Sequence, residues 1–107
     1  MFKVKLAIYL ANPSIIPLIM SEIEGILKSN RCTYTKAPSW TIGVCGDSLV
    51  KVRVPLEPPK PGIPPTRSVI EVLLESRDPQ GVYALTSAIN SMTGKLRGAG
   101  IGITLES

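Results

Sequence analysis

The chain has no histidine, so the most frequent general acid–base and a frequent zinc ligand are both missing. Cys32 and Cys45 are the two thiols, with twelve residues between them and no C-x-x-C spacing. Two thiols without histidine do not make a zinc site. The favoured expectation is a reduced pair, and a disulfide fits a hyperthermophile source. The eight carboxylates are scattered. Glu22 and Glu24 are not one helical turn apart, and Glu71 and Glu75 read as strand-surface residues. No paired-carboxylate chemistry follows, and the expectation is a non-enzyme with no metal and no cofactor.

Glycine motifs give no nucleotide site either. Thr93-Gly94-Lys95 is followed by Leu96 and falls at a helix end, whereas a phosphate loop needs G-x-x-x-x-G-K-[ST] between a strand and a helix. Gly98, Gly100 and Gly102 form a run with no helix after it, which is a chain exit and not a dinucleotide turn. Gly43 to Gly46 is formally G-x-x-G, but inside a hairpin and not between helices.

The basic residues form a more coherent set. Lys3 and Lys5 on a first strand, and Lys51 and Arg53 on a hairpin, occupy positions opposite apolar core residues. If those strands are neighbours, four cations share one sheet face that suits RNA phosphates. The plainer reading is ordinary outward-facing charge on an amphipathic sheet.

The stretch from Pro79 to Gly94 holds sixteen residues without a charge. Val82, Leu85, Ile89, Met92 and Leu96 follow helical spacing and make one core-facing stripe. Tyr83, Ser87, Asn90 and Gly94, with Ser91 beside them, make an outer stripe where Lys and Glu usually sit. An outer side of this kind lets another protein surface come close.

These features need a scaffold. Phe2 to Leu10 alternates with period two and reads as a strand. Ser14 is the expected N-cap of a helix over Ile15–Lys28, which leaves Pro17 at the third helical position. At about 100° per residue, its apolar residues span an arc of about 200°, about twice the minimum width of a core stripe. Ile16 and Met20 are therefore assigned, with the outer stripe of the later helix, to a partner-binding surface. Residues 39–54 read as a hairpin turning at Gly46-Asp47. Pro55, Pro58, Pro59, Pro61, Pro64 and Pro65 make 55–67 an extended connector. Val69–Glu75 reads as a strand, Asp78-Pro79 as a helix start, Gly98 as the helix stop, and Gly100–Leu105 as a final edge strand.

The expected fold is α+β, β-α-β-β-β-α with that final strand, with both helices on one face of an antiparallel sheet. At 107 residues, 44% hydrophobic and 19% charged, this is one globular domain. No apolar run reaches the roughly 20 residues of a membrane span, and the first ten residues alternate too regularly for a signal peptide. The cytoplasm is the expected compartment. A net charge of +4 permits an acidic or nucleic-acid partner.

Residues 71–96, with "ESRDPQGVYALTSAINSM" at their centre, resemble the small dimerisation subunit of the KEOPS complex. Asp78, Leu85, Asn90 and Ser91 match that family's second-helix pattern, and Thr86 stands where the family prefers Arg. "SWTIGVCGDSLVKVRV" resembles its central hairpin, and "FKVKLAIYLANPS" its first strand and helix start. The prolines of 55–65 and the strand at 69–75 look like an insertion or a diverged paralogue. The resemblance implies a non-catalytic subunit of the machinery that places threonylcarbamoyl on adenosine of certain tRNAs. Its implied partners are a second copy or a paralogous subunit, the larger transferase subunit, and tRNA. The other class of reading is a free-standing RNA-binding α+β domain.

Overall fold

The structure, a computed structural model, describes residues 1–37, 39–54, 68–96, 98 and 100–106. The connector expected at 55–67 lies outside the described residues. Alternating residues place Leu6, Ile8 and Leu10 of β1 (Phe2–Leu10) in the core and leave Lys3 and Lys5 exposed on the other face. The same alternation buries Val50 and Val52 of β4 (Ser48–Arg53) and Ile70, Val72 and Leu74 of β5 (Ser68–Ser76). With β2 (Thr33–Ala37), β3 (Trp40–Cys45) and β6 (Ile101–Glu106), these strands form one antiparallel sheet in the order β2-β3-β4-β5-β1-β6. The α+β class, with two helices on one face, is as the sequence reads. β2 is an additional strand: its Thr-Tyr-Thr-Lys-Ala run has too little apolar alternation to announce itself.

Two helices, α1 (Ile16–Ser29) and α2 (Pro79–Lys95), cover the core face. Ile19, Ile23 and Leu27 of α1 meet Val82, Leu85, Ile89 and Met92 of α2 over the strand valines and leucines in one cluster. Helix α1 lies toward β2, and α2 packs on β5, β1 and β6. Close approach of α1 explains Gly43: a Cβ there would sit 3.1 Å from Leu27 Cδ2. Ile16 and Met20 are half-buried against the core, so much of the wide apolar arc of α1 is absorbed within the chain.

The helix ends differ from the sequence expectation. Ser14 is not the cap. A 3-10 turn, Pro13–Ile15, leads into α1, the cap position is Ile15 without a side-chain hydrogen bond, and the Ser14 amide donates to Asn12 Oδ1 at 3.0 Å. The α1 terminus closes as a Schellman motif: Cys32 N donates to Leu27 O at 2.9 Å and Arg31 N to Lys28 O at 3.1 Å. Arg31 holds the left-handed position, φ +56°, that glycine normally takes. In α2, Asp78 caps as its sequence predicts, accepting from Gln80 N at 3.0 Å. The helix ends with Leu96 as its cap, ahead of the expected stop at Gly98, and the left-handed glycine of this exit is Gly100, φ +78°.

Candidate functional site

Helix α2 presents three sides. Its core side is formed by Val82, Leu85, Ile89, Met92 and Thr93. At about 100° per residue, Ser87, Ser91 and Gly94 fall on the crest opposite that side. Tyr83, Thr86 and Asn90 fall on the flank that descends toward β6. Tyr83 is 74% exposed, and Asn90, Ser91 and Gly94 are exposed. The expected outer stripe is therefore two adjoining surfaces, a crest and a flank.

The flank and the edge of the sheet enclose a groove of about 290 Å³ lined by Leu6, Tyr83, Thr86, Ser87, Asn90 and Ile103. Thr86 Oγ1 is buried in its wall and has no hydrogen-bond partner. Leu6, Thr86 and Ile103 were not legible as members of this surface. The Ile101-Ile103 alternation indicates a strand, but only the sheet order β5-β1-β6 brings that strand under α2. The described β6 residues have a neighbour on one side only, β1, with Ile103 opposite Ile8 and Thr104 opposite Ala7.

At the opposite edge, β2 is tied to its neighbouring strand and to α1. Cys32 and Cys45 form a disulfide with Cα atoms 4.3 Å apart, which corrects the expectation of a reduced pair. The reason is register: Thr33 pairs with Val44, so the two cysteines sit one step beyond the ladder and face each other. Lys36 of β2 lies 3.0 Å from Glu24 Oε1 of α1, close enough for an ion pair but off the line of an aligned hydrogen bond. This carboxylate holds the Lys36 ammonium above its ordinary pKa.

The four cations Lys3, Lys5, Lys51 and Arg53 do share the open sheet face, but β1 and β4 are not neighbours. Strand β5 lies between them, with Leu73 between Lys5 and Lys51 in one row. Strand spacing puts those two rows of cations about 10 Å apart. The intervening strand also brings Glu75 beside Lys3 and Glu71 beside Arg53. The face therefore carries alternating charge, with an apolar row of Trp40, Ile42 and Val44 on β3 that is 36–50% exposed. Sequence reasoning missed Trp40 as a surface residue. Alternation separates two faces without saying which one is inside, and here the small Thr41 and Gly43 take the buried side.

Among the described residues, no three His, Cys, Asp or Glu side chains are placed to share a metal ion. No described helix is long and apolar enough to cross a membrane.

No protein-family model matches the chain, and no curated protein matches it by sequence. Solved structures match its fold. A de novo designed protein, Foldit4, superposes with a TM-score of 0.64 at 11% identity over 98% of this chain and 94% of the design. PA4090 from Pseudomonas aeruginosa gives 0.59 at 10% identity over 99% and 96%. A hydantoinase/carbamoylase family amidase from Burkholderia ambifaria gives 0.55 at 13% identity, with 97% of this chain covering 26% of the amidase. At such identities the likeness is one of fold alone.

Proposed function

We propose that this chain is a non-catalytic assembly subunit of the tRNA threonylcarbamoyladenosine complex, docking the larger transferase subunit through the crest of α2. The observation that carries this reading is an outward helix side with no charge from Pro79 to Gly94 whose crest residues Ser91 and Gly94 stay exposed. Such a crest admits another helix without desolvating an ion, which would cost several kcal/mol per buried charge. Exposed Leu18 on α1 adds an apolar contact to the same helical layer. The resemblance of residues 71–96 to the KEOPS dimerisation subunit supplies the identity of the partner.

The cytoplasm remains the proposed compartment. Together with the Cys32–Cys45 disulfide, it points to a cell whose interior preserves such bonds, as in hyperthermophilic archaea. The reading of the chain as a free-standing RNA-binding domain draws on exposed Trp40 beside Arg53, a base-stacking residue next to a cation. The interleaved Glu71 and Glu75 count against it.

The test is capture of the purified transferase subunit by the full chain. Ser91→Lys should abolish capture while leaving the melting temperature within a degree or two. Undiminished capture by this variant would overturn the reading. A salt-sensitive affinity for single-stranded RNA, lost on Trp40→Ala, would favour the other.

A further inference from the structure

We infer that the open face of the sheet over β2, β3 and β4 docks an amphipathic α-helix of a partner protein, with the aliphatic ridge of that helix on β3 and its carboxylates on the β4 side. This surface lies across the sheet from α2, so the inference goes beyond docking through the α2 crest and does not depend on it.

The chain's two helices cover one face of the sheet, and along β3 the other face is left apolar. Trp40, Ile42 and Val44 occupy successive outward positions and are 39%, 36% and 50% exposed. Half-buried Leu49 stands opposite Val44 and widens the row. Single exposed apolar side chains are ordinary, whereas a contiguous row marks a contact surface.

The two flanks of the row differ. Directly opposed residues of an antiparallel pair point to the same face. On the β2 side these are Thr33, Thr35 and Ala37, small and uncharged. On the β4 side Lys51 stands opposite Ile42, and Arg53 opposite Trp40. Strands β2, β3 and β4 contain no Asp or Glu. Lys51 has Leu73 as its other neighbour and Arg53 has Glu71, yet among the described residues neither cation makes an ion pair. The patch thus holds two cations beside an apolar row, and carboxylates brought to the β4 side complement it.

Geometry selects a helix. The face of a sheet offers side chains and no backbone groups. An extended segment laid on it would leave its own N–H and C=O groups unpaired, whereas a helix pairs them internally. A helix with its side chains is about 10–12 Å wide, and β2 to β4 is two strand spacings, about 10 Å. Val44 to Trp40 spans about 13 Å along β3. Residues i, i+4 and i+8 form one helix ridge about 12 Å long. The neighbouring ridge, i+3 and i+7, sets two carboxylates about 6 Å apart, against about 7 Å between Lys51 and Arg53. Single-stranded RNA fits this patch less well. Ile42, Val44 and Leu49 give no π-face to a base, and the strand beyond the cations presents Glu71 and Glu75 to phosphates.

Trp40 is the one tryptophan of the chain, so its emission reports contact at the patch. The probe is a stapled helical peptide with Leu at i, i+4 and i+8 and Glu at i+3 and i+7, titrated into the full chain. The expected result is a saturable blue shift of Trp40 emission. Binding should weaken about fivefold when the two Glu become Gln, and equally in the chain carrying Lys51→Gln with Arg53→Gln. Combining both changes should bring little further loss, the signature of a direct charge pairing. The Gln peptide makes this test without altering the chain. Ser91→Lys should bind the peptide as the native chain does, whatever its effect on transferase capture. No shift at about millimolar peptide, or equal binding of the Glu and Gln peptides, overturns the inference. So does tighter binding of polyuridylate or of phosphatidylserine vesicles than of the Glu peptide, read by the same shift.

Discussion

The two edges of the sheet are built on opposite plans. At the β2 edge the last strand is tied down: α1 leans on it, Lys36 reaches Glu24, and Cys32 is bonded to Cys45. At the β6 edge a helix leans on the strand as well, but that helix turns an uncharged flank outward. Both edges lie under a helix and belong to one sheet, so the difference is not one of architecture. It lies in which side chains the two helices and two edge strands carry. Among the described residues β6 has a neighbour on one side only, β1, and the side chains along the two edges are what set it apart from β2.

The largest expected effect breaks the guarded edge. Replacing both cysteines by serine removes a cross-link that closes a loop of 13 positions, worth about 3 kcal/mol by loop-closure entropy. Urea unfolding should show that loss, and sedimentation should show self-association unchanged. If association falls with the disulfide, the two edges are not independent. Between the edges, Gly81→Ala probes the centre of the sheet. A Cβ there would stand 2.5 Å from Ser48 Oγ and 3.1 Å from Ser76 Oγ, two hydroxyls that share a buried 2.9 Å hydrogen bond. Overpacking of this kind costs about 1–3 kcal/mol, read as a lower melting temperature.

Smaller changes should run the other way. Arg31→Gly relieves a left-handed residue at the end of α1 and should stabilise by about 1 kcal/mol. Thr86→Val removes a buried hydroxyl that has no partner and should be neutral or stabilising by up to about 1 kcal/mol; a clear loss in thermal unfolding would show that the hydroxyl is bonded after all. The smallest effect is at Lys36. Its folded pKa is raised by Glu24, so the pair contributes below the ordinary lysine value, about 10.4, and that contribution fades as pH rises through the raised one. The melting difference between the native chain and Glu24→Gln should therefore be present at neutral pH and vanish at strongly alkaline pH.

Much of this was legible in the residues. The alternation of β1, the valines of β4, the Asp78-Pro79 start of α2 and the turn at Gly46-Asp47 each rest on local chemistry, and local chemistry is what a sequence displays. The α2 crest and flank were visible as one uncharged stripe. What stayed hidden depends on neighbours distant in sequence. Strand β2 owes its existence to pairing with β3. The burial of Thr41 and Gly43, with Trp40 outside, follows from the closeness of Leu27. The cations of β1 and β4 are parted by β5, a strand order that alternation does not encode. The groove beside Thr86 exists because β6 returns to the outer side of β1.

Hydrogen exchange at the backbone amides of Ile101 and Ile103, which the Ala11 N to Gly100 O bond and the strand register point away from β1, followed as the protein is concentrated, tests the unequal edges most directly. The account predicts that protection at these residues rises with concentration while that of Thr33–Ala37 stays constant. Protection along β6 that is independent of concentration would contradict it.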